Sequence, residues 1–305
     1  MSIIIGGTIA IDNVSTPSAK ADNLLGGSAA YASLAASYYC KPAHLVGIVG
    51  HDFPEEHLSM LEKHGVSLEG VEHSEGASFT WTGEYHENMN ERTTHLVGLN
   101  VLESWNVKIP AEIANNKIVV PANMSPDNQI EMLDQCKAEQ KFVVADTMDL
   151  WIEIANERLH EVLKRIDLLV INESEARELA GDGNLIVAGE KLLLKGPRYV
   201  VIKLGEFGAI LFGPDHAVFR FHAWPLREIV DPTGAGDTFL GAMAGYLASL
   251  DGVNFTFEQI RDAIVRGSIL ASFTCEDFST RRLETVTEKE IQHRLDGMKA
   301  MSHWD

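Results

Sequence analysis

From about Asn116 the chain alternates short apolar runs with segments of helical spacing, and few folds accommodate that rhythm. Lys117–Pro121 is a short β-rich run. Ser125-Pro126-Asp127 then supplies an N-cap, a proline at the first helical position and an acidic first turn, which predicts a helix to about Gln140. Phe142–Asp146 is a continuous apolar strand ending in a carboxylate, and a helix over about Trp151–Arg165 follows it. Leu168–Ile171 reads Leu-Leu-Val-Ile and stops just before Asn172; helices around Ser174–Ala180 and Leu185–Lys195 lead into Tyr199–Lys203. Strands this uniformly apolar must be covered on both faces, so the pattern predicts a mostly parallel sheet between helical layers.

Elsewhere the rhythm changes. Ala209–Phe212 and Ala217–His222 flank a Gly-Pro-Asp turn and read as a hairpin. A long helix after Gly236 carries Phe239, Met243, Tyr246 and Leu250 at helical spacing, with Gly241 and Gly245 on another face where a neighbour can approach closely. Helices over about Thr256–Cys275 and Thr287–Met301 end the chain. In the first hundred residues, Ala29–Tyr39 is an Ala-rich helix, Leu45–Val49 a strand, and Pro54–His64 a helix stopped by Gly65. The stretches near Ile9–Leu25 and Ser78–Leu102 are strand-like and polar-interrupted. They predict a small β-layer projecting from the main sheet, within a single domain spanning 1–305. On the strand through residue 79, alternation puts Phe79, Trp81 and Tyr85 on one face.

Charge narrows the partners. The chain has 25 Lys and Arg against 44 Asp and Glu, a formal net charge of −19. Such a surface repels phosphate backbones and anionic lipid, so nucleic-acid and membrane partners are not expected. Three scattered cysteines without a Cys-x-x-Cys pattern point away from disulfides and zinc and toward a reducing compartment. The opening Met-Ser-Ile-Ile-Ile-Gly-Gly reads as a strand rather than a signal peptide, and no run approaches the roughly 20 apolar residues of a membrane helix. A cytoplasmic location is the expectation.

The stretch Asp231–Phe239, Asp-Pro-Thr-Gly-Ala-Gly-Asp-Thr-Phe, carries the chemistry. A Gly-rich turn at a helix N-terminus exposes backbone N–H groups and forms an anion cradle. Asp237 stands beside that cradle. The carboxylate is costly next to an anion unless it removes a proton from a hydroxyl attacking a phosphoryl group. A plain helix entry with a dipole-favoured aspartate fits the tripeptide Gly234-Ala235-Gly236 equally well.

The full nonapeptide resembles the C-terminal motif of the PfkB (ribokinase-like) family of carbohydrate and nucleoside kinases, and further resemblances occur in order along the chain. Gly7-Thr8-Ile9-Ala10-Ile11-Asp12 resembles the family's first strand, whose Asp contacts substrate hydroxyls. Gly26-Gly27 resembles the Gly-Gly motif lying against the sugar, and Gly47-Ile48-Val49-Gly50-His51-Asp52 the Val-Gly-x-Val-Gly-x-Asp segment. Asn172-Glu173-Ser174-Glu175 matches the Asn-x-x-Glu motif. Lys203-Leu204-Gly205 with Gly208 matches the strand and turn entering the nucleotide site.

The resemblance implies a ribokinase-like three-layer α/β/α sandwich with a small β-sheet lid over about 9–25 and 78–102. It also implies transfer of the γ-phosphoryl group of ATP to a hydroxyl, expected to be primary, of a sugar or nucleoside. Asp237 would be the base, and the backbone of Gly234, Ala235 and Gly236 the anion hole. Asp12, Gly26, Gly27, Tyr31 and Trp81 would hold the acceptor. Asn172, Lys203, Gly205, Gly208 and Thr233 would face the nucleotide, with Asn172 and Glu175 organising Mg²⁺ through water.

The departures from the family pattern bear on the substrate. Tyr31 replaces an Asn that touches substrate, which suggests that Tyr31 and a lid aromatic stack on a nucleobase. Pro54 replaces a common Gly. Cys275-Glu276-Asp277-Phe278 stands where relatives carry a Gly-Ala turn, which leaves a monovalent cation open. A homodimer through the lid is a further expectation. Two other classes remain at this point: a nucleotide-binding regulator without turnover, and a Rossmann-type NAD(P) enzyme, against which Gly6-Gly7 lacks the Gly-x-Gly-x-x-Gly pattern.

Overall fold

A computed structural model describes residues 2–303. Its first half contains β1 (Ile3–Gly6), β2 (Ala10–Ser15), β3 (Lys20–Gly26), α1 (Ser28–Ala36), β4 (Ala43–Val49), α2 (Glu55–Lys63), β5 (Val66–His73), β6 (Phe79–Tyr85), β7 (Arg92–Gly98), β8 (Ile118–Pro121) and α3 (Pro126–Gln135). There follow β9 (Phe142–Ala145), α4 (Asp149–Ile154), α5 (Asn156–Leu163), β10 (Leu168–Asn172), α6 (Glu173–Ala180), α7 (Leu185–Leu193) and β11 (Tyr199–Lys203). The chain then continues through β12 (Ala209–Phe212), β13 (Val218–Phe221), α8 (Ala235–Ser249), α9 (Phe257–Thr274) and α10 (Glu288–Ser302).

The main sheet runs β13-β12-β11-β10-β9-β8-β1-β4-β5. Strands β11 through β5 in that order pair in parallel, and β12 and β13 close one edge as an antiparallel hairpin. Side-chain alternation explains why its central strands read as unbroken apolar runs. Ile3 and Ile5 pack on one side of the sheet with α1, α8 and α9, while Ile4 packs on the other with α3 and α5. Val120 and Val119, or Val170 and Leu169, divide in the same way. Each strand is core on both faces, as a sheet sandwiched between helices requires.

A second, four-stranded sheet has the order β3-β2-β6-β7, with β2 and β6 parallel and the outer pairs antiparallel. It leaves the main sheet where β1 ends, so it stands over the carboxyl ends of the parallel strands, where open α/β sheets bind ligands. Asp12 lies on β2 in this lid, within the stretch expected to form the small β-layer, and pairs with Trp81 of β6.

Other differences have local causes. The helix expected to reach Gln140 stops at Gln135 because Cys136 turns extended and Lys141 Nζ takes the freed carbonyls of Leu133 and Cys136 at 3.4 and 2.7 Å. The helix expected over Trp151–Arg165 is two, broken where Ala155 adopts φ −134°, ψ 30°. Strand β5 escaped sequence reading: it forms one edge of the sheet, fully buries only Val66 and Gly70, and sets Leu68 and Val71 among Ser67, Glu69, Glu72 and His73. Helix α8 meets α1 as its glycines suggest. A Cβ on Gly241 would sit 2.0 Å from the Ala32 carbonyl oxygen, and one on Gly245 2.6 Å from Ala36 Cα. No helix among the described residues is long and apolar enough to cross a membrane.

Candidate active site

The cradle forms because Gly234 takes φ +74°, ψ 0°, a left-handed conformation that turns the chain into α8 without a capping side chain. A Cβ there would also lie 2.3 Å from the Tyr31 ring, so glycine is required twice over. The Ala235 N–H is turned back to the Pro232 carbonyl at 3.2 Å, and the Thr238 N–H closes the first helical turn on the Gly234 carbonyl. The N–H groups of Gly234 and Gly236 have no backbone partner among the described residues, and these two remain for an anion. Gly236 also admits a cation: a Cβ on it would stand 2.9 Å from Lys203 Nζ, at the end of β11.

Asp231 opens the turn and is fully buried. Its Oδ1 accepts the Thr233 N–H at 2.9 Å and its Oδ2 the Ser279 N–H at 3.2 Å, tying the cradle to the loop after α9. The Thr233 hydroxyl donates to the Tyr85 hydroxyl at 3.2 Å, which links the cradle to the lid.

Asp237, in the first turn of α8, is half-buried, and burial raises its pKa above the ordinary carboxylate range. Lys203, its own backbone N–H and Arg92 oppose that rise. Asp146, just beyond β9, is 5% exposed, and its Oδ1 has no hydrogen-bond partner. Burial and then the charge of Asp237 push it well up, with Lys203 opposing. Glu175 is 8% exposed and also raised, chiefly by burial and against the pull of Lys203. Glu175 and Asn172 form a reciprocal cap on α6: Asn172 Oδ1 accepts the Glu175 N–H at 2.9 Å, and Glu175 Oε2 accepts the Asn172 N–H at 2.8 Å. Strand register sets Asn172 beside Lys203. Thus Asp237, Asp146, Glu175 and Lys203 meet in one electrostatic group.

On the other side of the cradle lies a cavity of about 650 Å³. Asp12, Gly27, Ser28, Tyr31, Thr233, Gly234 and Asp237 line it where α1 and α8 meet the lid. Asp12 is 4% exposed, and its pKa is raised to about 8 by burial and then by the charges of Asp231 and Asp237. Gly26 leaves space for it, since a Cβ there would fall 2.1 Å from the Asp12 carboxylate. Gly27, at φ +95°, would bring a Cβ within 2.4 Å of the Thr8 carbonyl oxygen. Phe79, Trp81 and Tyr85 all line the cavity from the lid, as their alternation suggests. Leu99, Leu102 and Trp105 continue this wall, and Met148, Leu150, Trp151 and Ile154 from α4 face it.

The cavity thus gathers Asp12, Gly27, Tyr31, Trp81, Thr233, Gly234 and Asp237 from among the residues singled out in the sequence. Asn172, Glu175, Lys203, Gly205 and Gly208 lie outside it, around the carboxyl ends of β10 and β11. Gly205 and Gly208 take φ +56° and +92°, and a Cβ on Gly208 would lie 1.9 Å from the Phe221 carbonyl oxygen. Tyr31 is 1% exposed with its ring wedged under Gly234, so it does not offer an open face for stacking; Trp81 and Trp151 are the aromatics placed for that. Sequence reading missed Asp146 and Arg92. Asp146 left a signal, a carboxylate closing an otherwise apolar strand. Arg92 left none beyond a polar turn.

Comparison with known proteins agrees with this architecture. The model of the pfkB family carbohydrate kinases matches residues 12–286. A cytidine kinase of Thermococcus kodakarensis is 29% identical over 252 residues, 81% of this chain and 88% of that protein. A nucleoside kinase of Methanothermobacter thermautotrophicus is 26% identical over 276 residues, 88% of this chain and 84% of that protein. The crystal structure of the Methanocaldococcus jannaschii nucleoside kinase superposes with a TM-score of 0.78 at 17% identity, over 97% of this chain and 98% of that one. The ribokinase of Giardia lamblia gives 0.81 at 19% identity over 97% and 98% of the two chains. These two share the fold, a large mostly parallel sheet with a small lid sheet. With a family match running from Asp12 in the lid to beyond the cradle, the chain belongs to the pfkB family of carbohydrate kinases, phosphotransferases that act on a hydroxyl group.

Proposed function

We propose that the protein transfers the γ-phosphoryl group of ATP to a primary hydroxyl of a nucleoside. The observation that carries this reading is the cavity: it opens beside Asp237 and the cradle, passes Asp12, and continues between aromatic and aliphatic walls from the lid and α4. Two carboxylates and a glycine backbone suit a ribose, while the apolar remainder suits a base and would stay empty around a simple sugar. The similarity to a cytidine kinase and a nucleoside kinase supports the same choice.

In this reading Asp12 accepts hydrogen bonds from ribose hydroxyls and sets the primary hydroxyl against Asp237. Asp237 takes its proton as the oxygen attacks. The Gly234 and Gly236 N–H groups and the Lys203 ammonium stabilise charge on the transferred oxygens, already oriented before reaction. The lid excludes water that would otherwise accept the phosphoryl group.

The residues present fit Mg²⁺. Asp146 carries a buried, unpartnered carboxylate oxygen, and Glu175 is held beside Asn172. Among the described residues no three His, Cys, Asp or Glu side chains form a cage, which suits an ion held mainly by phosphates and water. When bound, Mg²⁺ neutralises charge on the β- and γ-phosphates. Asp146 and Glu175 would hold its waters.

A coupled ADP-release screen of sugars and nucleosides with Mg²⁺-ATP tests the assignment. Turnover with nucleosides at kcat/KM well above that with ribose or fructose is expected; the reverse order rejects it, and no ADP release with any acceptor would favour a regulator. The homodimer belongs to the same proposal: Leu96 on the lid's edge strand is 57% exposed, an apolar side chain that a second lid would cover. A monomer mass by light scattering at micromolar concentration rejects the dimer.

A further inference from the structure

Given a nucleoside acceptor, the polar groups at the base end of the cavity say what kind of base it takes. Nearly all of them are already engaged with the protein. The Trp151 indole N–H donates to Asn123 Oδ1 at 2.9 Å, which fixes that ring as a wall. Asn128 uses both ends of its amide: Nδ2 donates to the Trp105 carbonyl at 3.0 Å, and Oδ1 accepts the Val107 N–H at 3.1 Å. Trp105 Nε1 donates to Glu72 at 2.8 Å, and the Thr94 hydroxyl accepts from Trp81 Nε1 at 3.3 Å. Glu103 differs. It lines the cavity as an exposed residue, and its carboxylate makes no hydrogen bond or ion pair among the described residues. The backbone holds it there, since its N–H donates to the Asn100 carbonyl at 3.1 Å at the end of the short turn Asn100–Leu102. The same turn and its flanks supply Leu99 and Leu102 to the apolar wall, so Glu103 is the charged neighbour of the surface on which a base would rest.

A carboxylate accepts hydrogen bonds and cannot donate them. The exocyclic amino group of cytosine or adenine satisfies it. The keto oxygen that uracil or hypoxanthine carries at the corresponding position would meet it lone pair to lone pair, with no hydrogen bond to replace the water displaced between them. We propose that Glu103 is a specificity-determining residue that selects nucleosides whose base carries an exocyclic amino group over their keto counterparts. Sites built to hydrogen-bond a substrate group reject analogues lacking it far more strongly than apolar walls reject a change of shape. A charge-assisted hydrogen bond corresponds to about ten- to hundredfold in relative kcat/KM.

The test measures kcat/KM for cytidine, uridine and ribose in the wild type, Glu103→Gln and Glu103→Ala. The cytidine-to-uridine ratio is taken within each preparation, so any loss of folded protein cancels. The wild type should favour cytidine at least tenfold. Gln can donate or accept, so Glu103→Gln should bring the ratio close to one by raising uridine and lowering cytidine. Glu103→Ala should approach the same ratio through loss of cytidine alone, and ribose turnover should be the same in all three proteins. A wild-type ratio near one, or a ratio unchanged in both variants, overturns the role of Glu103 while leaving a nucleoside kinase in place. Turnover of ribose with no nucleoside phosphorylated overturns the nucleoside reading itself, and the proposal falls with it for that separate reason.

Discussion

The two ends of the cavity are built by different means. At the cradle end, backbone does the work: Gly234 and Gly27 hold left-handed conformations, their missing Cβ atoms are filled by Tyr31 and Thr8, and the charged groups are buried against one another. At the lid end, side chains do it, on strands and a turn that leave Leu96, Val97 and Leu99 about half exposed. The first arrangement tolerates almost no substitution, because each replacement meets an atom already in place. The second can be redrawn residue by residue. Phosphoryl chemistry is therefore fixed in the scaffold, and the choice of acceptor is laid over it.

The largest expected effect tests the scaffold end. Asp237→Asn should lower kcat by about 10²–10⁴, the usual contribution of a general base, with the melting temperature within a few degrees of wild type. Near wild-type turnover would remove Asp237 from the mechanism. Gly234→Ala should cost about 10² in kcat, since the added methyl must displace the Tyr31 ring or the cradle itself, and misplacements of about 1 Å have that weight. It should also lower the melting temperature, unlike Asp237→Asn.

Asp12 stands at the boundary between the two ends and should respond to pH. With its pKa near 8, it is protonated in the free protein at neutral pH and ionises as pH rises, gaining acceptor capacity for hydroxyls. Acceptor kcat/KM should therefore climb through about pH 8, and Asp12→Asn should abolish that limb while losing roughly ten- to hundredfold at high pH. The stability sign is opposite. Between about pH 4 and 8 the unfolded chain has released a proton that folded Asp12 keeps, so stability falls as pH rises. Asp12→Asn removes that part of the slope, and denaturant midpoints across the range measure it.

The smallest effect tests the lid end. Trp81→Ala should raise KM for a nucleoside about tenfold, the weight of one base–aromatic contact, and leave ribose nearly unaffected. Equal losses on both substrates would place Trp81 in lid packing instead of base binding.

The same contrast explains what could be read from the residues alone. The parallel sheet was legible because strands buried on both faces, such as Leu168–Ile171, leave a pattern that no exposed segment imitates. The cradle was legible because left-handed turns and close approaches demand glycine at fixed places. Asp146 was visible as a carboxylate ending a strand, but its neighbours Asp237 and Glu175 are distant in sequence, and only the fold shows that they share a field. Tyr31 misled for a related reason: an aromatic replacing a polar residue suggests a stacking surface, and only three dimensions reveal the ring occupying the space that Gly234 leaves. Strand β5 was lost because charged and small residues interrupt its Val66, Leu68 and Val71, as an edge strand tolerates, and Arg92 because a charged residue beside a polar turn looks the same whether it faces solvent or a cavity.

Gly241 and Gly245 couple the two helices that flank the cavity. By letting α8 lie directly on the backbone of α1, they join the helix that begins at Gly27 to the helix that begins at the cradle. The spacing between the two N-termini is then set by direct helix packing, and the lid acts on the acceptor through Asp12 within that frame. A lineage altering its lid strands could explore new acceptors while this spacing stayed constant. Changes of substrate would then carry little risk to the reaction itself, and a single scaffold could serve sugars and nucleosides alike.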